Sequence, residues 1–152
     1  MLRISDDPID AGALLKAFEE KAMGAGGIVT FSGLVRPQSK AGDVQTLFLQ
    51  AYPAMTEAGI EAAMSTTRQR WPVKELCVVH RTGEMKPGDT IVFVAAASAH
   101  RRAAFEAADF LMDYLKTKAV FWKREDTDHG ATWIEPREED YQDASRWDER
   151  PK

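Results

Sequence analysis

The sequence predicts an α+β fold built on a mostly antiparallel sheet. Three observations carry this. Helical and strand-like periodicities interleave along the chain, so neither class stands alone. Two pairs of strands read as hairpin-like, which favours antiparallel neighbours. The 152 residues show no internal repeat and no Pro/Gly/Ser-rich linker. They suit one domain, residues 1–135, followed by a charged tail, residues 136–152.

Residues 8–21 read as a helix, because Ile9, Ala13, Leu14, Ala17 and Phe18 recur at helical spacing and Gly24 and Gly26 stop it. Residues 27–35 follow as a strand rich in β-favouring side chains. Residues 36–43 form a polar loop of the kind that can cover a site. A second strand spans 44–52. Residues 53–70 predict a helix with Met55, Ile60, Ala63, Met64 and Thr67 facing inward. Strands at 73–82 and 90–98 are joined by Gly-Glu-Met-Lys-Pro-Gly-Asp, a turn-forming run. Residues 101–118 form a second long helix, with Ala104, Phe105, Ala108, Leu111, Met112 and Leu115 on one face. Short strands at 120–125 and 131–135 complete the domain. In the tail, Tyr141 and Trp147 offer docking points within a solvated charge run.

Apolar residues make up 44% and charged residues 29%, an ordinary globular balance that argues against disorder. The longest apolar runs, such as 91–97, are too short to span a bilayer. The N-terminus lacks the layout of a signal peptide. One cysteine, Cys77, cannot form an internal disulfide, which points to a reducing, cytoplasmic setting. It lies in the apolar run Leu76-Cys-Val-Val and reads as a buried, inert thiol. The three histidines show no ligand spacing, so no metal site is expected. No phosphate-binding glycine loop is present. Trp71, Trp122 and Trp133 read as core or pocket walls rather than a nucleic-acid platform.

The net charge of −4 is unevenly spread. Residues 134–152 hold seven acids against four bases, while 98–124 hold six bases against three acids. This basic segment begins with His100, Arg101 and Arg102 at the start of the long helix. Positive charge is misplaced there unless an anion binds, or unless the side chains turn to water or to acids. Phe121-Trp-Lys-Arg-Glu125 could hold Lys123 in a partly desolvated pocket, or could simply be an exposed strand end. Lys116, near a helix C-terminus, and Arg36, at the mouth of the polar loop, admit the same two readings. His100 and Lys116 stand sixteen residues apart, ~24 Å along one helix. If both serve one ligand, the site combines two copies of the chain.

Nine segments in order resemble the catalytic (large) subunit of molybdopterin synthase. They are Phe31-Ser-Gly-Leu-Val-Arg36, Tyr52-Pro-Ala-Met55, Arg70-Trp-Pro72, His80-Arg-Thr-Gly-Glu84, Pro87-Gly-Asp89, Ser98-Ala-His-Arg101, Asp113-Tyr-Leu-Lys116, Phe121-Trp-Lys-Arg-Glu125 and Trp133. The resemblance implies an α/β hammerhead fold that dimerises, and a sulfurtransferase of molybdenum-cofactor synthesis. Its substrate would be cyclic pyranopterin monophosphate. The sulfur would come from the thiocarboxylated C-terminus of a small ubiquitin-like carrier, two carriers flanking a dimer in a heterotetramer. No cofactor, metal, nucleic acid or membrane is implied. The family's essential lysines fall on Lys116 and Lys123. Its substrate contacts fall on Leu34, Val35, Arg36, His100 and Arg101, with Arg124 and Glu125 beside the second lysine. Gln50 stands where many relatives carry Glu, and Ala119-Val120 replaces a common Val-Pro. A carrier-binding scaffold and a phosphate-ligand module without a carrier are the alternative readings.

Overall fold

The computed structural model describes residues 1–148. Glu149, Arg150 and Lys152, counted in the charged tail, lie outside the described residues. In chain order the elements are β1 (Leu2–Ser5), α1 (Ala11–Lys21), β2 (Gly27–Leu34), β3 (Gln38–Ser39), β4 (Gly42–Ala51), α2 (Pro53–Arg70), β5 (Val73–Arg81) and β6 (Gly83–Met85). They continue with β7 (Thr90–Ser98), α3 (Arg101–Thr117), β8 (Phe121–Thr127), β9 (Gly130–Ile134) and α4 (Glu138–Ser145).

The strands form two sheets. The first runs β1-β5-β7-β2, antiparallel except for β1 beside β5. The second runs β3-β4-β8-β9, with β6 also paired to β4, and is antiparallel throughout. The expected mixed fold with mostly antiparallel pairing is what forms, divided between two sheets.

Strand alternation splits the core of the first sheet into two layers. Leu76, Val78, Val92, Val94 and Ala96 pack against α2 and α3, while Cys77, Val79, Phe93, Ala95 and Ala97 pack against Phe18 of α1. α3 presents Ala103, Ala104, Ala107, Ala108, Leu111 and Leu115 to the sheet. The small alanines let the helix approach closely, and each buried leucine adds ~1.5–3 kcal/mol of apolar burial. A third cluster, Val35, Val44, Leu47, Leu49 and Met85, holds the second sheet together.

Several expectations change. α1 begins at Ala11 rather than residue 8, because Asp10 caps it: Oδ1 accepts the Ala13 N–H at 3.0 Å. Ala13 and Ala17 face solvent, and Leu15 joins the core in their place. Met55, in the first turn of α2, and Phe105 are exposed rather than inward. Trp71 is buried, but Trp122 and Trp133 are 51% and 59% exposed on the outer face of the second sheet.

The described acids of the tail are mostly solvated, as its charge suggests, but the segment is ordered and docked. Residues Glu138–Ser145 form α4, and beyond it Trp147 buries itself to 4% exposure against Trp71 and Phe110. Its Nε1–H donates to Asp113 Oδ2 at 2.6 Å, and Arg146 pairs with Asp109 and Asp113. These contacts strap α4 across α3. No helix among the described residues is long and apolar enough to cross a membrane.

Candidate functional site

A cavity of about 510 Å³ opens between the C-terminal half of α3, the end of β2 and the inner face of the second sheet. β8 supplies Lys123 and Glu125, which alternation places on the same face. In register, Lys123 sits between Leu49 of β4 and Ile134 of β9, so its stem and ammonium are walled by apolar side chains. That burial is the largest cause holding its pKa down to about 8; the Lys116 charge lowers it further, and Asp140 opposes both. Lys116 enters from α3, one turn beyond Met112, and is exposed at the rim.

The end of β2 forms the opposite wall through Phe31, Leu34, Val35 and Arg36. Val35 is pinned there: its N–H donates to the Asp89 carbonyl at 2.9 Å, and its carbonyl accepts the Gly88 N–H at 2.8 Å. Leu34 and Arg36 on either side are exposed. Gly33 is required by packing, since a Cβ there would lie 2.8 Å from Val92 Cγ1. The polar loop closes near this wall, where Ser39 Oγ donates to Glu125 Oε1.

Lys116, Lys123, Leu34, Val35, Arg36 and Glu125 therefore meet around one cavity. The other three expected residues do not join them within one chain. Arg124 points from the opposite face of β8, with its guanidinium 5.3 Å from the Phe48 ring centre and its Nε 3.2 Å from Asp126 Oδ1, off the hydrogen-bond direction. His100 and Arg101 lie exposed at the far end of α3. Among the described residues no side chain caps that end, and its first turn holds no acid. Its N–H groups and cations are thus available to an anion.

Two cavity residues escaped the sequence reading. Arg137 reaches the cavity from the start of α4, where Nη2 donates to Asp140 Oδ1 at 2.9 Å. This pairing holds the Asp140 carboxyl below its ordinary range. The signal was only an Arg-x-x-Asp spacing at the head of an acidic run. His80 lines the cavity from β5 and stacks on Phe121 at 4.1 Å between ring centres. Burial lowers its pKa to about 4, assisted by Lys123 and Lys116 and opposed by its Arg81 backbone hydrogen bond. The signal was a titratable side chain in phase with inward-facing Leu76 and Val78.

Such a site can bind an anionic ligand at the rim and, within, hold a lysine that exchanges its proton near neutral pH. Among the described residues no group of three or more His, Cys, Asp or Glu is placed to hold a metal ion. Cys77 is buried on the α1 side of the first sheet, and burial raises its pKa.

A family model described as "MoaE protein" matches residues 4–118. The chain is 45% identical over 148 residues to a molybdopterin synthase catalytic subunit of Pseudomonas aeruginosa, covering 97% of this chain and 99% of the relative. It is 52% identical over 122 residues to the Escherichia coli protein of the same name, covering 80% and 81%. Among solved structures it is similar to the molybdopterin biosynthesis MoaE protein from Burkholderia ambifaria, at TM-score 0.83, 37% identity and 99% coverage of both chains.

Proposed function

This chain belongs to the MoaE protein family, and from that premise we propose that it is the catalytic subunit of a molybdopterin synthase. It transfers sulfur from the thiocarboxylated C-terminus of a small ubiquitin-like carrier to cyclic pyranopterin monophosphate. The observation that carries this is the convergence of Lys116 and Lys123, from different elements, on one apolar-walled cavity. Nothing in this scheme needs a nucleophile from the chain itself, which fits a single cysteine sealed in the core.

The roles follow from position. Lys116, at the rim, meets the incoming carrier tail and neutralises its thiocarboxylate. Lys123, deeper, faces the pterin side chain where the carbon–sulfur bond forms and oxygen departs. With its pKa near 8, about nine-tenths of it is protonated at pH 7, and it releases that proton more readily than an ordinary lysine. It can therefore protonate the leaving oxygen, while its charge stabilises the anionic transition state. Leu34, Val35, Arg36 and Glu125 shape the pterin side.

His100 and Arg101 serve the phosphate of a neighbouring copy's ligand, because α3 carries them ~22–24 Å from Lys116. The protein is then a homodimer of hammerhead-type chains within a heterotetramer. Two features support the pairing. β2 is an edge strand of the first sheet, and it exposes Leu34 and, beside Phe105 of α3, Phe31. Arg124 lies beside the second lysine in sequence but outside the cavity, which makes it a candidate for contact with a partner chain. We assign residues 1–135 to the catalytic domain and the remainder to an appended tail. The buried lone thiol fits a cytoplasmic setting.

The test is reconstitution with thiocarboxylated carrier and the pterin phosphate. Molybdopterin should form as carrier sulfur is lost. Carrier binding without sulfur loss would favour a scaffold instead, and no carrier binding would favour a phosphate-ligand module.

A further inference from the structure

The cavity holds a buried histidine to which the scheme above gives no work. His80 is 4% exposed, and its ring is fixed on two sides. One face stacks on Phe121, whose strand carries Lys123 two residues on. One edge is tied to the backbone, with Nδ1 3.0 Å from the Arg81 carbonyl oxygen. A carbonyl can only accept, so the proton of the neutral ring resides on Nδ1, and Nε2 carries a lone pair.

The surroundings keep the ring neutral. On either side in the first sheet, Ile4 of β1 and Val92 of β7 are its register partners, and both are apolar. The charged groups facing it are Lys123 from β8 and Lys116 from α3. No carboxylate among the described residues is close enough to stabilise an imidazolium there. Among the described residues Nε2 has no hydrogen-bond partner, and the ring that carries it lines the cavity. Lys123 likewise has no hydrogen bond or ion pair with the described residues. A donor and an acceptor thus line one space, each without a hydrogen-bond partner among the described residues.

We propose that His80 is a further substrate-contacting residue of this cavity: a neutral imidazole, held in the Nδ1–H tautomer by the Arg81 carbonyl, whose Nε2 accepts a hydrogen bond from a hydroxyl or ring N–H of the bound pterin while Lys123 donates to an oxygen of the same ligand. The inference rests on the sulfurtransferase reading and deepens it. It assigns to the ligand one hydrogen-bond donor and one acceptor. It also explains why a histidine, rather than another valine or leucine, occupies this inward position: a third cation beside two lysines would be repelled, and an apolar side chain would leave the ligand's donor unsatisfied.

The experiment compares wild type, His80→Phe and His80→Gln in the reconstituted synthase. Calorimetric affinity for the pterin phosphate is measured alongside, and thermal melts confirm folding. Phe preserves the stack on Phe121 and removes the acceptor, so kcat/KM and pterin affinity should fall roughly 10- to 100-fold. Gln restores an acceptor oxygen and should recover part of that loss. In wild type, nitrogen NMR should show an unprotonated Nε2 from pH 6 to 8. Wild-type kinetics and affinity in His80→Phe would overturn the proposal. So would Gln performing no better than Phe, or a protonated Nε2 at neutral pH. Normal turnover in wild type and in His80→Phe refutes the role of His80 alone. His80-dependent pterin binding without sulfur transfer in wild type refutes the function and leaves His80 in place.

Discussion

Lys123→Met removes an ammonium from apolar surroundings and puts a side chain of similar length in its place. The ordinary lysine value is 10.5, and burial with the Lys116 charge brings Lys123 to about 8. The unfolded chain binds this proton up to pH 10.5, whereas the folded chain binds it only below about 8. Stability therefore rises with pH between those values, and below pH 8 the folded state bears the whole penalty. At ~1.4 kcal/mol per pH unit, the penalty at pH 7 is about 3 kcal/mol, and by pH 10 it shrinks to less than ~1 kcal/mol. Lys123→Met should thus stabilise the fold at pH 7 by up to about 3 kcal/mol while abolishing sulfur transfer, and the stability gain should fade toward pH 10. Urea unfolding of both proteins at pH 7, 9 and 10 measures this directly. A variant less stable than wild type at pH 7, or a difference that does not change with pH, would refute the desolvated-lysine reasoning.

Four other outcomes are expected. His80 binds its proton only below about pH 4 when folded, against an ordinary 6.5, so stability falls as pH drops from 6.5 to 4; urea midpoints of His80→Phe should show a shallower decline over that window. Gly26→Ala would set a Cβ 2.1 Å from the Ala99 carbonyl oxygen, in the turn that leads to His100. It should destabilise by roughly 1–3 kcal/mol in calorimetry, since backbone must shift to admit it. Cys77→Ala should retain sulfur transfer, and loss of turnover in a folded variant would show that the chain does supply a thiol. Mixed dimers of Lys123→Met and His100→Ala chains should regain about one quarter of wild-type activity, because half the dimers contain one intact shared site; no recovery would show that sites do not combine two copies.

Long periodic elements were readable from residues alone. α2 runs Pro53–Arg70 and β7 runs Thr90–Ser98, as their patterns require. Short elements were not, because their partners define them. β3 and β6 are two and three residues long and exist by pairing with β4, and β1 is four residues held parallel to β5. α4 lies in a charge run whose polarity suggests solvent. What docks it is Trp147, reached by long-range packing on Trp71 and Phe110. In the site, the two lysines were marked by resemblance, and spacing correctly separated His100 from Lys116. Arg124 escaped discrimination because adjacent residues on a strand share a sequence neighbourhood but face opposite sides. His80 was passed over because it was weighed as a metal ligand rather than as an inward-facing acceptor.

Sulfur transfer depends on the lysine held in the apolar cavity. This dependence is tested most directly by single-turnover loss of sulfur from the carrier C-terminus, followed by mass spectrometry, with wild type and Lys123→Met at pH 7. The variant should fold and bind the carrier but transfer sulfur at least ~100-fold more slowly. Transfer at the wild-type rate would contradict that dependence.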